Sequence, residues 1–186
     1  MTLNKWYDKG LTVDQYIESL KVHKEGFMHV NKNFKLPNDE VFFQSVTEKN
    51  LRVLILAEPW CGHCMFNIPV LLQLATKTDM PVRILPRDEN LELMDQYLTN
   101  GKSRSVPIFI FIDESGEEVA KWGPIADRTK QFADELKVKL PEKDAEDYDD
   151  KFKEFIASIG KELRDNSDFW IASYEGMKLA LEGSIK

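Results

Sequence analysis

A pair of cysteines, Cys61 and Cys64, sets the strongest limit on the architecture of this chain, which has no other cysteine. A short apolar run at residues 51–58 precedes the pair and is typical of a strand that is covered on both faces. After the pair, apolar residues recur at helical spacing, at Met65, Ile68, Leu72 and Ala75. This order predicts a buried strand, a tight bend and a helix that begins at the two thiols.

The spacing of the two cysteines has a chemical consequence. Residues three apart at a helix start lie on one face, about 5–6 Å from each other, which permits a reversible disulfide. The free N–H groups and partial positive charge of a helix N-terminus favour a thiolate, so Cys61 is the expected attacking group. Cys64, one turn further in, is expected to be more buried and less acidic. It would resolve the mixed disulfide that Cys61 forms.

Two other uses of the thiols stay open. A structural zinc site needs four ligands, usually two such cysteine pairs, whereas this chain has one pair and three histidines. His23 and His29 are six positions apart in one predicted helix, so they do not share a face well. The other alternative is a pair of buried cysteines without a chemical role. We predict no metal and favour redox exchange.

Length and charge limit the classes of partner. With 186 residues, of which 42% are hydrophobic, the chain can form one domain, with or without an extension. The formal net charge of −7 argues against nucleic acid, because its binders need clustered positive charge. The start of the chain has no apolar signal-peptide core, and no run approaches the roughly 18 apolar residues of a membrane span. We expect a soluble, cytoplasmic protein without a membrane partner, in which a permanent disulfide is uncommon.

Periodicity and turn residues predict the other elements. Thr12 and Gln15 have the spacing of a capping box, which marks a helix start. Helices are expected over residues 12–31, after a cap at Asn38, from a cap at Asp88 to about Leu98, and around Thr129, Phe132 and Leu136. Strands are expected at residues 81–86 and on both sides of a turn at residues 114–116.

The last part of the chain changes character at residue 141. Residues 141–154 are rich in charge, which predicts a solvated linker and helix start, with an acidic docking patch as the alternative. Two apolar stripes at helical spacing follow, one at Phe152, Phe155, Ile156, Ile159 and Leu163, and one at Trp170, Tyr174, Met177 and Leu181 after a cap at Ser167 or Asp168. We expect both stripes to pack on a domain formed by residues 1–140, with residues 141–186 as a helical extension. The alternative is that the stripes form a surface for a partner.

Three landmarks in the sequence resemble the thioredoxin superfamily. The segment Trp60–Cys64 resembles the active-site motif of that family, and Pro69 matches the proline that kinks its active-site helix. Residues 105–123 resemble the segment that carries a cis-proline, a hairpin and a glycine near the substrate groove. The resemblance covers residues 40–140 and implies an α/β thioredoxin-like fold. That fold has a central mixed sheet flanked by helices, here with extra helices at both termini.

The resemblance also implies roles for individual residues. Cys61 resembles the nucleophile and Cys64 the resolving cysteine. A cis bond between Val106 and Pro107 is implied opposite the cysteines, where the backbone would pair with an extended substrate segment. The implied substrate groove comprises Trp60, Gly62, His63, Val106, Pro107 and Gly123.

The chain departs from the thioredoxin pattern at two positions. Thioredoxins place a buried aspartate six residues before the first cysteine, where this chain has Ile55, so we hypothesise that Glu58 is the proton relay instead. His63 replaces the proline of thioredoxin and gives the Gly-His pair of protein disulfide isomerase. A protonated His63 would stabilise the Cys61 thiolate and place the reduction potential between roughly −270 and −180 mV.

Together these features predict a thiol–disulfide oxidoreductase that needs no cofactor or metal. Its expected substrates are disulfide-containing proteins or low-molecular-weight thiols, and its electrons come from an unidentified reductant. Two alternatives stay open, both of which bind a partner protein. One is an adaptor with a thioredoxin fold, and the other is a redox sensor in which oxidation of Cys61 alters binding.

Overall fold

A mixed four-stranded sheet forms the centre of the protein. The computed structural model describes residues 2–185, and its strands are Arg52–Ala57 (β1), Val82–Pro86 (β2), Ile108–Ile112 (β3) and Glu118–Trp122 (β4). The order across the sheet is β2-β1-β3-β4, with β1 parallel to β2 and antiparallel to β3, and with β3 antiparallel to β4. The predicted strands and the central mixed sheet are confirmed.

Helices surround this sheet, including extra helices at both ends of the chain, as predicted. Within residues 2–185 they are Asn4–Lys9 (α1), Val13–Ser19 (α2), Lys24–Asn33 (α3), Glu40–Thr47 (α4), Gly62–Lys77 (α5), Leu91–Met94 (α6), Asp127–Lys137 (α7), Tyr148–Asp165 (α8) and Ser167–Glu182 (α9). None of the helices in this described part is long and apolar enough to cross a membrane.

The two central strands are apolar because both of their faces are covered. All residues of β3 and residues 53–57 of β1 are buried. The helix α5 follows β1 and buries Phe66, Ile68 and Leu71 completely, with Pro69 inside the helix. This packing holds the start of α5, and with it the two cysteines, at the end of a central strand.

The N-terminal segment, residues 2–34, folds against the edge of the sheet. Leu11 pairs with Ile84 of β2 through two backbone hydrogen bonds of 2.8 and 3.0 Å. The capping box of Thr12 and Gln15 is confirmed at the start of α2. The segment is therefore joined to the sheet by backbone pairing as well as by apolar contacts.

The predicted single helix over residues 12–31 is wrong. The helix α2 ends at Ser19, the chain turns, and α3 begins after His23, whose φ of 64° lies in the left-handed region. The turn lets Tyr16 and Phe27 pack against each other in the core, with their ring centroids 6.4 Å apart. Periodicity did not indicate the break, since the apolar residues of both helices face one core.

The helix predicted from Asp88 to Leu98 is largely wrong. This stretch holds a 3-10 helix at Arg87–Glu89 and the short α6. The backbone N–H of Asp88 donates to Glu58 Oε1 over 2.8 Å, and the Asn90 side chain donates to a β2 carbonyl over 2.7 Å. These bonds tie the stretch to the ends of β1 and β2, which prevents a longer regular helix.

Two helix caps lie one or two residues from the predicted positions. Asn166 caps α9 by accepting the backbone N–H of Asp168 over 3.0 Å, whereas the sequence indicates Ser167 or Asp168 as the cap. The helix α4 begins after Asp39 rather than after Asn38. Such offsets arise because several neighbouring residues in each loop have suitable capping side chains.

The helix α9 packs its apolar stripe against α5 and β4. Its members are no more than 4% exposed, as predicted for Trp170, Tyr174, Met177 and Leu181. The indole Nε1 of Trp170 also donates to the Leu163 carbonyl at the end of α8, over 2.8 Å. This helix therefore contributes to the same core as the sheet.

The stripe on α8 is covered only towards its C-terminal end. Leu163 is 2% exposed, and Ile159 is partly buried against the core. Phe152 and Ile156 are 40% and 53% exposed, so the expectation that the whole stripe packs on the domain is wrong for them. Periodicity identifies the apolar face of a helix but not how far along the helix the neighbouring surface extends. The division of the chain at residues 140 and 141 stays a prediction.

Candidate active site

The cysteines lie at the start of α5, beyond the end of β1. Cys61 is the N-cap of the helix and Cys64 is in its first turn, and both are free thiols. The Cys64 backbone N–H donates to Cys61 Sγ over 3.4 Å, and Cys61 Sγ donates to the Val106 carbonyl over 3.4 Å. A Cβ at Gly62 would meet no described atom within 4 Å, so the space beside the pair is open. Cys61 is 8% exposed and Cys64 is 1% exposed, so a visiting disulfide reaches Cys61 first.

The two thiols differ in acidity. A hydrogen bond with the Cys64 side chain lowers the pKa of Cys61, and the backbone N–H groups of Cys64 and His63 lower it further, against the effect of burial. Burial raises the pKa of Cys64 well above the usual range, and the interaction with Cys61 adds to that shift. Both shifts have the sign that the position at the helix start predicts. The outer thiol therefore ionises before the inner one.

The surroundings of His63 disfavour its protonated form. Burial lowers the pKa of its imidazole, which packs edge-on against Phe66 with ring centroids 6.3 Å apart. The lowered pKa disfavours a protonated His63, whose expected effect on the Cys61 thiolate stays a prediction. Its backbone N–H still helps to lower the pKa of Cys61. The range of reduction potentials stays a prediction.

Arg87, which sequence reasoning missed, supplies a positive charge to the site. It follows β2, whose C-terminal end lies beside that of the parallel strand β1. Its guanidinium lies 5.1 Å from the centroid of the Trp60 ring and donates to the Arg104 carbonyl over 2.9 Å. Its charge is one of the causes that lower the pKa of Cys61. One sequence signal could have identified Arg87. It directly follows the strand β2, which parallel pairing places next to β1.

Two loops form the wall opposite Cys61. The Val106–Pro107 peptide bond is cis, as the resemblance implies, and so is the Gly123–Pro124 bond. Gly123 has a φ of 130°, and a Cβ there would lie 2.2 Å from the Pro107 carbonyl oxygen. Glycine alone fits this contact, so the two loops can lie directly against each other. The structure thus brings the wall residues proposed from the sequence to the cysteine pair.

The Glu58 carboxylate is buried beside the cysteine bend. It is 5% exposed, and among residues 2–185 it is the one buried carboxylate. Burial raises its pKa, against a 2.8 Å hydrogen bond that Oε1 accepts from the Asp88 backbone. Its backbone carbonyl accepts the Cys61 N–H over 3.1 Å. Ile55, at the position of the thioredoxin acid, is fully buried and offers no proton acceptor.

Tyr16 of α2, a second residue that sequence reasoning missed, lies at the inner side of the site. It is 1% exposed, and its hydroxyl donates to the Glu58 carbonyl over 3.2 Å. Cys64 is among the neighbours that raise its pKa, although the hydroxyl donates to the Glu58 carbonyl and not to that thiol. Burial raises the pKa of Tyr16 far above its usual range, and the charges of the neighbouring thiols and Glu58 add to this. In the sequence Tyr16 belongs to an ordinary apolar stripe, so no local signal marks it.

Two observations bear on what the site can hold. A cavity of about 650 Å³ lies between the N-terminal segment and the cysteine bend, and Tyr16, Glu58, Trp60 and Pro86 are among its lining residues. The cavity therefore adjoins Tyr16 and Glu58, and neither cysteine is among its lining residues. In residues 2–185, no group of three or more His, Cys, Asp or Glu side chains is arranged to bind a metal ion.

Solved structures share this architecture at low sequence identity. A structure of a protein of unknown function from Pseudomonas aeruginosa is 13% identical and superposes with a TM-score of 0.68 over 98% of both chains. An HIV epitope-scaffold is also 13% identical, with a TM-score of 0.65 over 98% of this chain and 99% of its own. Both likenesses show the fold alone.

Sequence comparison identifies the family. No curated protein matches this sequence at a significant level. A family model described as thioredoxin matches residues 10–137, a range that contains the cysteine pair, both wall loops and Tyr16. The resemblance seen in the sequence is confirmed, and the chain belongs to the thioredoxin family.

Proposed function

We propose that this protein is a thiol–disulfide oxidoreductase that acts through Cys61 and Cys64. The opposite pKa shifts of two thiols within one helical turn are the observation that supports it most. The more accessible, acidic thiol suits attack on a substrate disulfide, and the fully buried thiol of high pKa suits the later intramolecular step. The family match supports redox chemistry of this kind.

The reaction consists of two exchanges. The Cys61 thiolate attacks one sulfur of the substrate disulfide and forms a mixed disulfide, and the other substrate sulfur leaves as a thiolate that takes up a proton. Cys64 then loses its proton and attacks Cys61 Sγ, and the second substrate sulfur leaves in the same way. The substrate gains two electrons while the cysteine pair becomes a disulfide. A dithiol reductant from outside the protein reduces the pair for the next cycle.

Disulfide-containing proteins or low-molecular-weight thiols are the proposed substrates. Trp60 precedes Cys61 and is 54% exposed, and the Val106 carbonyl lies 3.4 Å from Cys61 Sγ. An extended substrate segment would pair with the backbone at Val106 and Pro107, like an added strand. We propose a cytoplasmic location, where the reducing environment keeps such a pair in its dithiol form.

Glu58 is the proposed proton acceptor for Cys64. A carboxylate whose pKa is raised towards neutrality is a better base for a thiol than an ordinary one. Glu58→Gln retains an oxygen for the Asp88 N–H and removes the base, so we expect slower release of substrate from the mixed disulfide. Glu92→Gln, at an exposed carboxylate of α6, is the control. An unchanged release rate in Glu58→Gln would discard this role.

The proposal is tested by reduction of insulin disulfides with dithiothreitol, followed as turbidity. The wild-type protein should accelerate the reaction, and Cys61→Ser should fall to the uncatalysed rate because the attacking thiol is gone. Cys64→Ser should accumulate a mixed disulfide with insulin that mass spectrometry detects. Comparable rates with the wild type and with Cys61→Ser would reject the proposal and favour an adaptor.

A further inference from the structure

The buried thiol of Cys64 is poorly suited to ionise in its own environment. Desolvation disfavours its thiolate, yet the second exchange requires that thiolate. Stabilisation has to come from the inner side of the site, because the substrate occupies the outer side at Cys61. The hydroxyl of Tyr16 is a neutral donor on that inner side.

We propose that the Tyr16 hydroxyl donates a hydrogen bond to the Cys64 thiolate during the second exchange. The inference rests on the proposed function and adds the residue that makes the inner thiol reactive. It also makes the N-terminal segment, residues 2–34, part of the active site.

Four interactions hold Tyr16 and its hydroxyl in place. The hydroxyl donates to the Glu58 carbonyl over 3.2 Å, and the ring packs against Phe27 with centroids 6.4 Å apart. The start of α2 is held by its capping box and by the pairing of Leu11 with Ile84 just before it. A donor on a fixed element needs little reorganisation when charge develops on the sulfur beside it.

Tyr16 can act as a donor but not as a base. Its raised pKa keeps the hydroxyl protonated throughout the neutral pH range. While Cys64 is protonated, the hydroxyl donates to the Glu58 carbonyl. Once Cys64 ionises, rotation about the phenol C–O bond turns the proton to the sulfur, which is then a charged acceptor. Accepting the proton of Cys64 and stabilising the resulting thiolate are therefore separate tasks, the first proposed for Glu58 and the second for Tyr16.

The second exchange balances in atoms and electrons without any proton transfer to or from Tyr16. The Cys64 thiolate forms a bond to Cys61 Sγ, the bond between Cys61 and the substrate sulfur breaks, and the substrate thiolate takes a proton from solvent. Two electrons pass from the cysteine pair to the substrate. Tyr16 keeps its own proton from start to finish, so its removal should slow the step and not abolish it.

Stopped-flow reaction of the reduced protein with dithiobis(nitrobenzoate) separates the two exchanges. Attack by Cys61 releases one equivalent of coloured thiolate at a rate proportional to the reagent concentration. Attack by Cys64 releases a second equivalent at a rate that does not depend on that concentration. For Tyr16→Phe we expect an unchanged first phase and a second phase slower by about tenfold, as for loss of a hydrogen bond to a charged group. The pH profile of the second phase should move up by about one pH unit.

Tyr7→Phe is the matched control, because it removes a hydroxyl from a buried tyrosine of α1 that lies beside Arg52 and Arg83. It should leave both phases at the wild-type rates. Equal second phases in the wild type and Tyr16→Phe, or equal slowing in both variants, would overturn the inference. Insulin reduction by the wild type tests the proposed function separately. A protein that completes both phases without reducing insulin would reject that function, while the second phase still decides the role of Tyr16.

Discussion

The two ends of the chain pack on the same domain and reach its active site in different ways. The N-terminal segment, residues 2–34, joins the edge of the sheet and brings the Tyr16 hydroxyl to the inner thiol. The C-terminal segment, residues 141–185, touches the site indirectly. Ser173 Oγ donates to Asn67 Oδ1 of α5 over 2.6 Å, and Asn67 Nδ2 donates to the Pro124 carbonyl over 3.3 Å.

The two segments differ in where their polar side chains meet α5. A polar side chain at the first turn of α5 can affect the exchange reaction, whereas one a turn further on affects stability. Tyr16 donates to the Glu58 carbonyl before the start of the helix and has Cys64 of the first turn as a neighbour. Ser173 faces Asn67, one turn further on, which is fully buried and supports the loop after Gly123. We therefore expect Tyr16→Phe to slow the second exchange at nearly constant stability. Changes at buried residues of the C-terminal segment should lower stability and leave the exchange rates unchanged.

Met177→Ala should give the largest effect and is the strongest test of this contrast. The side chain is fully buried in α9, and truncation of such a methionine lowers the free energy of unfolding by about 2–5 kcal/mol. Urea unfolding measures the change. Leu179→Ala, at a residue of the same helix that is 72% exposed, should stay within about 0.5 kcal/mol of the wild type. Wild-type stability for Met177→Ala would mean that the C-terminal segment is not part of the core.

Ser173→Ala should give the next largest effect. It removes a donor from the buried Asn67 side chain, and an unsatisfied buried oxygen costs about 1–3 kcal/mol of unfolding free energy. Ser184→Ala is the control, because that exposed serine donates to the Ala180 carbonyl within its own helix end. Both variants should retain the two exchange phases at wild-type rates. A second phase slowed as strongly as in Tyr16→Phe would remove the distinction between the two segments.

Local spacing is sufficient to predict the part of the site that lies close together in the chain. The strand, the bend, the cysteines and the helix all lie within residues 51–77, and the proline wall follows from a resemblance in one short segment. Arg87 and Tyr16 reach the pair because β2 runs parallel beside β1 and because α2 lies over the ends of both strands. These contacts depend on topology, which periodicity in a single sequence does not specify.

Burial is the other property that the sequence pattern does not supply. His63 is a titratable residue at a helix start, yet its pKa falls because its partly buried side chain is desolvated. Phe152 and Leu163 belong to one helical stripe, yet the first is 40% exposed and the second 2%. In both cases the pattern gives the direction in which a side chain points, and the structure shows what lies opposite.

Arg87 belongs to neither terminal segment. The variant Arg87→Gln therefore tests whether a residue of the central domain contributes to the acidity of Cys61. A lowered pKa makes the thiolate appear at lower pH, so alkylation of Cys61 by iodoacetamide should rise with pH below the usual range of a cysteine. Loss of the guanidinium should move that midpoint up by about half a pH unit or less. Arg83→Gln, on β2 beside Tyr7, is the control and should leave the midpoint unchanged. A midpoint that moves equally in both variants would mean that Arg87 has no specific effect.

Phe152→Ser should have the smallest effect and tests how far the packed part of the C-terminal segment extends. Phe152 is 40% exposed, and its ring contacts Tyr148 and Phe155 of the same helix, with centroids 5.8 Å apart in each case. Contacts of this local kind contribute about 0.2–0.5 kcal/mol, so urea unfolding should change by no more than about 0.5 kcal/mol. Leu163→Ala, at the buried end of the same stripe, should cost about 2–5 kcal/mol. Equal losses in the two variants would mean that α8 is packed along its whole length. The C-terminal segment would then extend the core further than its exposed residues indicate.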